Sequence, residues 1–144
     1  MIPVRDDNPA HITPIVTYVL IGACLLVYAW QLAGGESHLQ ASFVGLGVTP
    51  AALTGSAPAA GVVPWVPGWI TIFTSMFLHG SIRHLLGNLL FLWVFGNNIE
   101  DAMGHVRFTV FYLLCGVAAV AAQVMPDPAS AVPMVGASGA ISGV

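Results

Sequence analysis

From Pro14 to Ala33 the chain runs for twenty residues without a charged side chain. As a helix this run rises about 30 Å, one bilayer hydrocarbon core. Thr13 suits the N-cap and Pro14 the first helical position. Gly34-Gly35 suits its end, since glycine accepts the left-handed cap conformation. A cleavable secretory leader has a shorter apolar core and a small-residue cleavage site, so the run reads as a retained span. Hydrophobic residues make up 57% of the 144 and charged ones 6%, against about 25% charged in soluble domains. That leaves too few charges to cover a water-exposed surface. The fold class is an all-α polytopic membrane protein, with the lipid bilayer as its first partner.

Three arginines, no lysine and six acids give a net charge of −3. There is no basic face, which excludes nucleic acid as a partner. Cys24 and Cys115 lie in apolar runs without metal-ligand spacing or a disulfide framework, and read as packing residues. The sequence has no nucleotide-binding glycine loop, no CxxC, no HExxH and no internal repeat.

Residues 1–13 form a polar N-terminal segment. Residues 34–80 form a long membrane-associated connection rich in Gly, Pro, Ala and Ser. Its stretch from Gly61 to Trp69 is apolar, but Pro64 and Pro67 prevent a continuous span. Trp65 and Trp69 suit the headgroup zone. Further helices are predicted over 81–98 and 106–125, joined by a polar exit turn from Gly96 to Gly104. A proline-marked loop follows, and a fourth helix begins at 138–144. Arg5 and Arg107 fall on one side of this topology and Arg83 on the other. The positive-inside rule then places the N-terminus in the cytoplasm and the start of the fourth helix outside.

Polar side chains inside spans cost several kcal/mol when unpaired, which singles out His84 and Asn88. Four residues apart, they share one helical face. Asn offers two N–H donors and His one or two, and together they could aim donors at a developing oxyanion. The same pair also serves as hydrogen-bonding glue between helices. Ser138 has a similar duality. Gly136 and Gly139 let a substrate approach a hydroxyl at a helix N-terminus, where free N–H groups bind an oxyanion. Gly139 and Gly143 equally form a small-xxx-small packing surface. Taken singly, each feature is commoner as packing than as chemistry. His79 reads as an interfacial histidine satisfied by water or loop carbonyls, and His105 as a solvated turn residue. Glu100 and Gly104 read as structural: the acid accepts loop N–H groups, and the glycine permits close approach or an unusual backbone angle.

Phe77-Leu78-His79, His84-xxx-Asn88, Glu100-xxx-Gly104 and Gly136-Ala137-Ser138-Gly139, in that order and spacing, resemble the rhomboid intramembrane serine proteases. Four motifs in order are far more specific than any one. The resemblance runs from Trp69 to the end and implies a six-helix core with its active site below the outer membrane surface. Over 14–144 this chain would form an incomplete rhomboid-like bundle of three full transmembrane helices and the start of a fourth. Ser138 would be the nucleophile, and His84, Asn88 and the Ser138 N–H the oxyanion hole. Glu100 and Gly104 would form the structural turn after the second helix, with Gly136 and Gly139 structural around the serine. Residues from Gly34 to Leu78 would be the membrane-embedded first loop.

The resemblance implies no metal and no cofactor. The substrates would be transmembrane proteins, cut within or beside the spanning segment. The location would be a multi-pass position in the membrane, the plasma or inner membrane in a bacterium. Two departures stand out. Trp69 is followed by Ile70, where many members carry a Trp-Arg pair. The family's general base, a histidine in an Ala-His-x-x-Gly context on the sixth helix, has no counterpart up to Val144. A serine hydroxyl is a poor nucleophile without a base. The expectation is a serine endopeptidase by family, with the isolated chain inactive. The alternative is a non-catalytic rhomboid-like protein that binds transmembrane helices.

Overall fold

The computed structural model describes residues 11–56 and 64–144. Most of the polar segment 1–13, and Gly61 to Val63 of the apolar stretch, lie outside the described residues. The helices are α1 (Ile15–Ala33), α2 (Gly35–Leu46), α3 (Pro50–Thr54) and α4 (Gly68–Thr74), the last running into a 3-10 turn, Ser75–Phe77. Then come α5 (Ile82–Phe91), a π-helical stretch (Leu92–Gly96), α6 (Asn97–Met103), α7 (His105–Val124) and α8 (Ser138–Ile141). Among the described residues there is no strand, only an isolated bridge between Val48 and Met134. The all-helical class expected from the sequence is what the chain adopts.

Both α1 and α7 are long and apolar enough to cross a membrane. Leu26, Val106 and Leu114 stand exposed on their outer faces, a surface suited to lipid rather than water. Their inner faces share a core. Leu20, Cys24 and Tyr28 of α1 meet Leu85, Leu92, Phe108 and Tyr112.

Two expectations about connections change. Residues 34–80 hold three helices, so this connection is not an irregular loop. Helix α2 packs on α1 and buries Leu39, Ser42 and Gly45, the last against Trp65, a buried set made mostly of small residues. That face carries too little hydrophobic contrast to show as a 3.6-residue period. The glycine pair does end α1, but Gly34 has φ −93 and the left-handed residue is Gly35, at φ +76, which opens α2. The predicted exit turn from Gly96 is also mostly helical. The chain stays helical from Ile82 to Met103 and turns only at Gly104, whose φ of +76 favours glycine.

Glu100 shows why α6 must extend so far. A helix start leaves backbone N–H groups without intrahelical partners. At α1, the Val16 and Thr17 N–H groups donate to the two oxygens of Glu100, at 2.9 and 2.8 Å, and the Thr17 hydroxyl donates at 2.7 Å. The carboxylate is fully buried. It also complements the positive end of the α1 dipole. His105, at the start of α7, pairs with the same carboxylate through Nδ1. His105 is thus a partner of a buried acid, half-exposed and not a free turn residue. Next to it, Asp101 accepts the His11 and Ile12 N–H groups, both at 2.7 Å. One acidic pair therefore ties the entry of α1 to α6 and α7.

Burial pushes the Glu100 carboxyl up, but the hydrogen bonds from Thr17, Val16 and His105 outweigh it and hold the group below its ordinary value. A lowered folded-state value means stability that is present above the unfolded-state value and lost as pH falls through the folded one. Glu100→Gln would set an amide N–H against helix N–H donors. It is expected to cost about 2–3 kcal/mol in detergent unfolding titrations at neutral pH. The wild-type chain should weaken as the pH falls below the ordinary carboxyl range, and the variant should show a flatter profile. Equal acid sensitivity in the two proteins would count against this role.

Candidate active site

The serine is delivered by a loop with little freedom. Pro126, Pro128 and Pro133 remove three backbone donors from it. Several of its remaining backbone groups are tied down. Met134 and Val48 exchange N–H···O bonds at 2.7 and 3.1 Å, and the Ala51 N–H donates to the Ser130 carbonyl at 3.0 Å. The Gly136 N–H then donates to the Ser75 carbonyl at 2.9 Å. Gly136 has φ +125, open only to glycine at little cost. Ala137 is fully buried, and Ser138 opens α8 with its side chain exposed.

Helix α8 lies close against α7. A Cβ added at Gly139 would stand 2.5 Å from the Ala119 Cβ, and one at Gly143 would meet Cys115. The small-xxx-small surface is therefore used in packing, and it fixes the helix that carries Ser138. Packing and positioning are one feature here.

Ser138 and His84 line a common cavity of about 480 Å³, walled by Met76, Gly116, Ala119 and Met134. His84 is the third residue of α5, and its N–H donates to the Ser81 Oγ cap at 3.2 Å. Its ring lies over Gly136. A Cβ placed there would come 2.5 Å from His84 Cε1, 2.7 Å from Nε2 and 3.5 Å from Ser138 Oγ. The imidazole edge and the serine hydroxyl thus flank one point above a glycine that leaves it open.

Asn88 is one turn further along α5, buried, and does not line this cavity. Its Nδ2 is 3.0 Å from Nε2 of His79. The structure therefore brings His84 to Ser138 directly, and links Asn88 to the site through another histidine. That histidine is fully buried, where the sequence suggested an interfacial residue open to water. The expected loop carbonyl is present: His79 Nδ1 lies 3.1 Å from the Phe77 oxygen. Burial, opposed by that carbonyl and helped by nearby His84, pushes the His79 pKa down to about 4. At neutral pH the ring is uncharged. A carbonyl only accepts, so Nδ1 carries the proton and Nε2 accepts from the Asn88 amide. The His79 ring meets His84 edge-on, with centroids 5.3 Å apart. Its role was hidden because its partners lie on two separate elements. Among the described residues, no three His, Cys, Asp or Glu side chains converge to hold a metal ion.

A serine at a helix start thus faces an imidazole across a cavity, inside an apolar helical bundle. Residues 67–144 match the family model described as Rhomboid domain. The chain is similar to rhomboid-like protein 11, chloroplastic, of Arabidopsis thaliana: 38% identical over 78 residues, 54% of this chain and 28% of that one. It is similar to rhomboid protease GluP of Bacillus subtilis: 30% identical over 131 residues, 90% of this chain and 23% of that one. It is also similar to RHOMBOID-like protein 5 of Arabidopsis thaliana: 29% identical over 73 residues, 51% of this chain and 24% of that one. No solved structure matches. The chain spans about a quarter of the length of these three relatives. It belongs to the rhomboid family, whose members are integral membrane proteins and include serine proteases.

Gly136→Ala would combine a strained φ with a methyl group pressed into the His84 ring. It is expected to lower stability by about 1–3 kcal/mol in detergent titrations. Gly22→Ala in α1, where nothing lies within 4 Å, should change it by no more than about 0.5 kcal/mol.

Proposed function

We propose that this chain carries the nucleophile and oxyanion side of an intramembrane serine endopeptidase acting on transmembrane protein substrates. The observation that carries this reading is the convergence of the His84 ring and Ser138 Oγ over Gly136 in one cavity. Ser138 Oγ attacks the scissile carbonyl, and the carbonyl oxygen takes up the charge. His84 donates to that oxyanion, joined by the Ser138 N–H. Asn88 holds His79 with one amide hydrogen and has a second N–H to offer. The proton of Ser138 passes to a general base. The rhomboid resemblance assigns that role to a histidine on a later helix, and among the described residues His84 is the only histidine lining the cavity. The substrate lies in the bilayer beside the bundle. The N-terminus is cytoplasmic and Ser138 is near the outer face.

Small residues around the serine support the assignment. Gly136 and Gly139 keep its flanks free of side-chain bulk, and Gly116 lets Met76 reach α7 beneath the cavity. A peptide bond can then come close to the hydroxyl without displacing the helix.

The test uses the protein as its gene encodes it, reconstituted in liposomes with a single-span reporter. Ser138→Ala should abolish cleavage. His84→Ala should lower kcat by about 10²–10³-fold, the usual effect of losing one oxyanion donor. Asn88→Ala should cost less, about tenfold, because Asn88 stands behind His84. The 144-residue chain alone should not cleave. Cleavage that survives Ser138→Ala would overturn the reading. Reporter binding without any cleavage would favour the helix-binding alternative.

A further inference from the structure

Gln31 sits in the charge-free run of α1 and is fully buried. Both ends of its amide are matched. Nε2 donates to Ser42 Oγ of α2 at 2.8 Å, and Ser42 Oγ donates onward to the Leu39 carbonyl at 2.7 Å. Oε1 accepts the peptide N–H of His79 at 3.0 Å. From there the chain of bonds continues through the His79 ring to Asn88, and by edge contact to His84. A polar line thus runs from α2, through α1, to Asn88, and the His79 ring within it touches the His84 ring that faces the Ser138 cavity.

An aliphatic side chain could fill the volume of Gln31. It could not accept from His79 and donate to Ser42 together. The His79 peptide lies between the 3-10 turn and the Ser81 cap, outside any helix. The Gln31 bond is therefore what holds its plane. In a buried site an unmatched N–H would drive that peptide to find another acceptor. The ring, with one nitrogen committed to Phe77 and the other to Asn88, would turn with it.

We propose that Gln31 is a positioning residue for the oxyanion side of the site: backed by Ser42, it fixes the His79 peptide, and the His79 ring then sets the Asn88 amide and the His84 ring. This rests on the reading of His84 and Asn88 as oxyanion donors. It makes the contact between α1 and α2 part of the positioning of the site, although neither helix lines the Ser138 cavity.

The test compares wild type, Gln31→Met and Ser42→Ala in the gene-encoded protein, reconstituted in phosphatidylethanolamine–phosphatidylglycerol vesicles. One readout is kcat and KM per folded molecule. The other is the ring ¹⁵N spectrum of His79 in histidine-labelled protein. Gln31→Met should lower kcat about 10- to 100-fold with KM within about twofold, the signature of misplaced transition-state contacts. The His79 ring should pass from one Nδ1–H tautomer to an averaged signal. Ser42→Ala leaves the bond to His79 in place and should give the same change more weakly, about threefold in kcat. If Gln31→Met does not fold, the Ser42 variant decides. An unchanged ring spectrum, or a cleavage loss that merely tracks the folded fraction, overturns the proposal. A wild-type protein that fails to cleave defeats the endopeptidase reading instead. The ring spectrum then still decides whether Gln31 positions His79.

Discussion

A helix that begins at a membrane boundary brings backbone N–H groups with no partner inside the helix, and lipid offers none. In this chain Glu100 meets that need. Its two oxygens take the Val16 and Thr17 N–H groups and the Thr17 hydroxyl, and His105 Nδ1 meets it from the other side. The carboxylate is fully buried, so its bonds act in a low-dielectric setting where leaving any unmade is costly. Three elements depend on it. The start of α1, the long extension of α6 and the turn at Gly104 all take their places around one side chain. Near the other end of α1, the Gln31 amide ties the helix to Ser42 and to the His79 peptide. The first helix is thus a strut pinned by polar bonds at both ends and packed through its middle.

The start of α8, and Ser138 with it, is held in place by its neighbours. Gly139 and Gly143 seat it on Ala119 and Cys115. The preceding loop is tied to Val48, Ala51 and Ser75. Gly136 then makes the turn that passes beneath the His84 ring. The residues that read most strongly as packing are the ones that fix where Ser138 stands. A larger side chain at any of the three glycines would move either the helix or the imidazole.

The sequence revealed spans and motifs more readily than it revealed connections. The charge-free run and the run before Pro126 became α1 and α7 within one or two residues. Their apolar length is a local property. His84, Ser138 and the glycines around the serine could be found from spacing and order, and the structure brings them to one cavity. What stayed hidden depended on partners distant in sequence. Helix α2 buries Leu39, Ser42 and Gly45, a face that looks like loop composition until α1 lies against it. His105 looked solvated because Glu100 seemed to belong to a turn. The turn is helical, and the two side chains meet across its end. Gln31 stands in no motif, and its acceptor and donor lie on other elements.

The placement of Asn88 ties these points together. Spacing puts it on the same face of α5 as His84, and the simplest picture has both pointing donors at one atom. In the folded chain the amide is occupied by His79, whose peptide is held from α1. An oxyanion donor must be aimed before charge develops, because reorienting it during the reaction would consume the stabilisation it provides. An asparagine free to rotate would be a poor donor. One with a hydrogen already committed to a neutral, fully buried histidine is held in orientation, and that histidine's tautomer is set in turn by the Phe77 carbonyl. The cost is a buried polar network that must be complete to be favourable. Gln31 and Ser42 complete it, which is why an uncharged span carries an amide so close to its end.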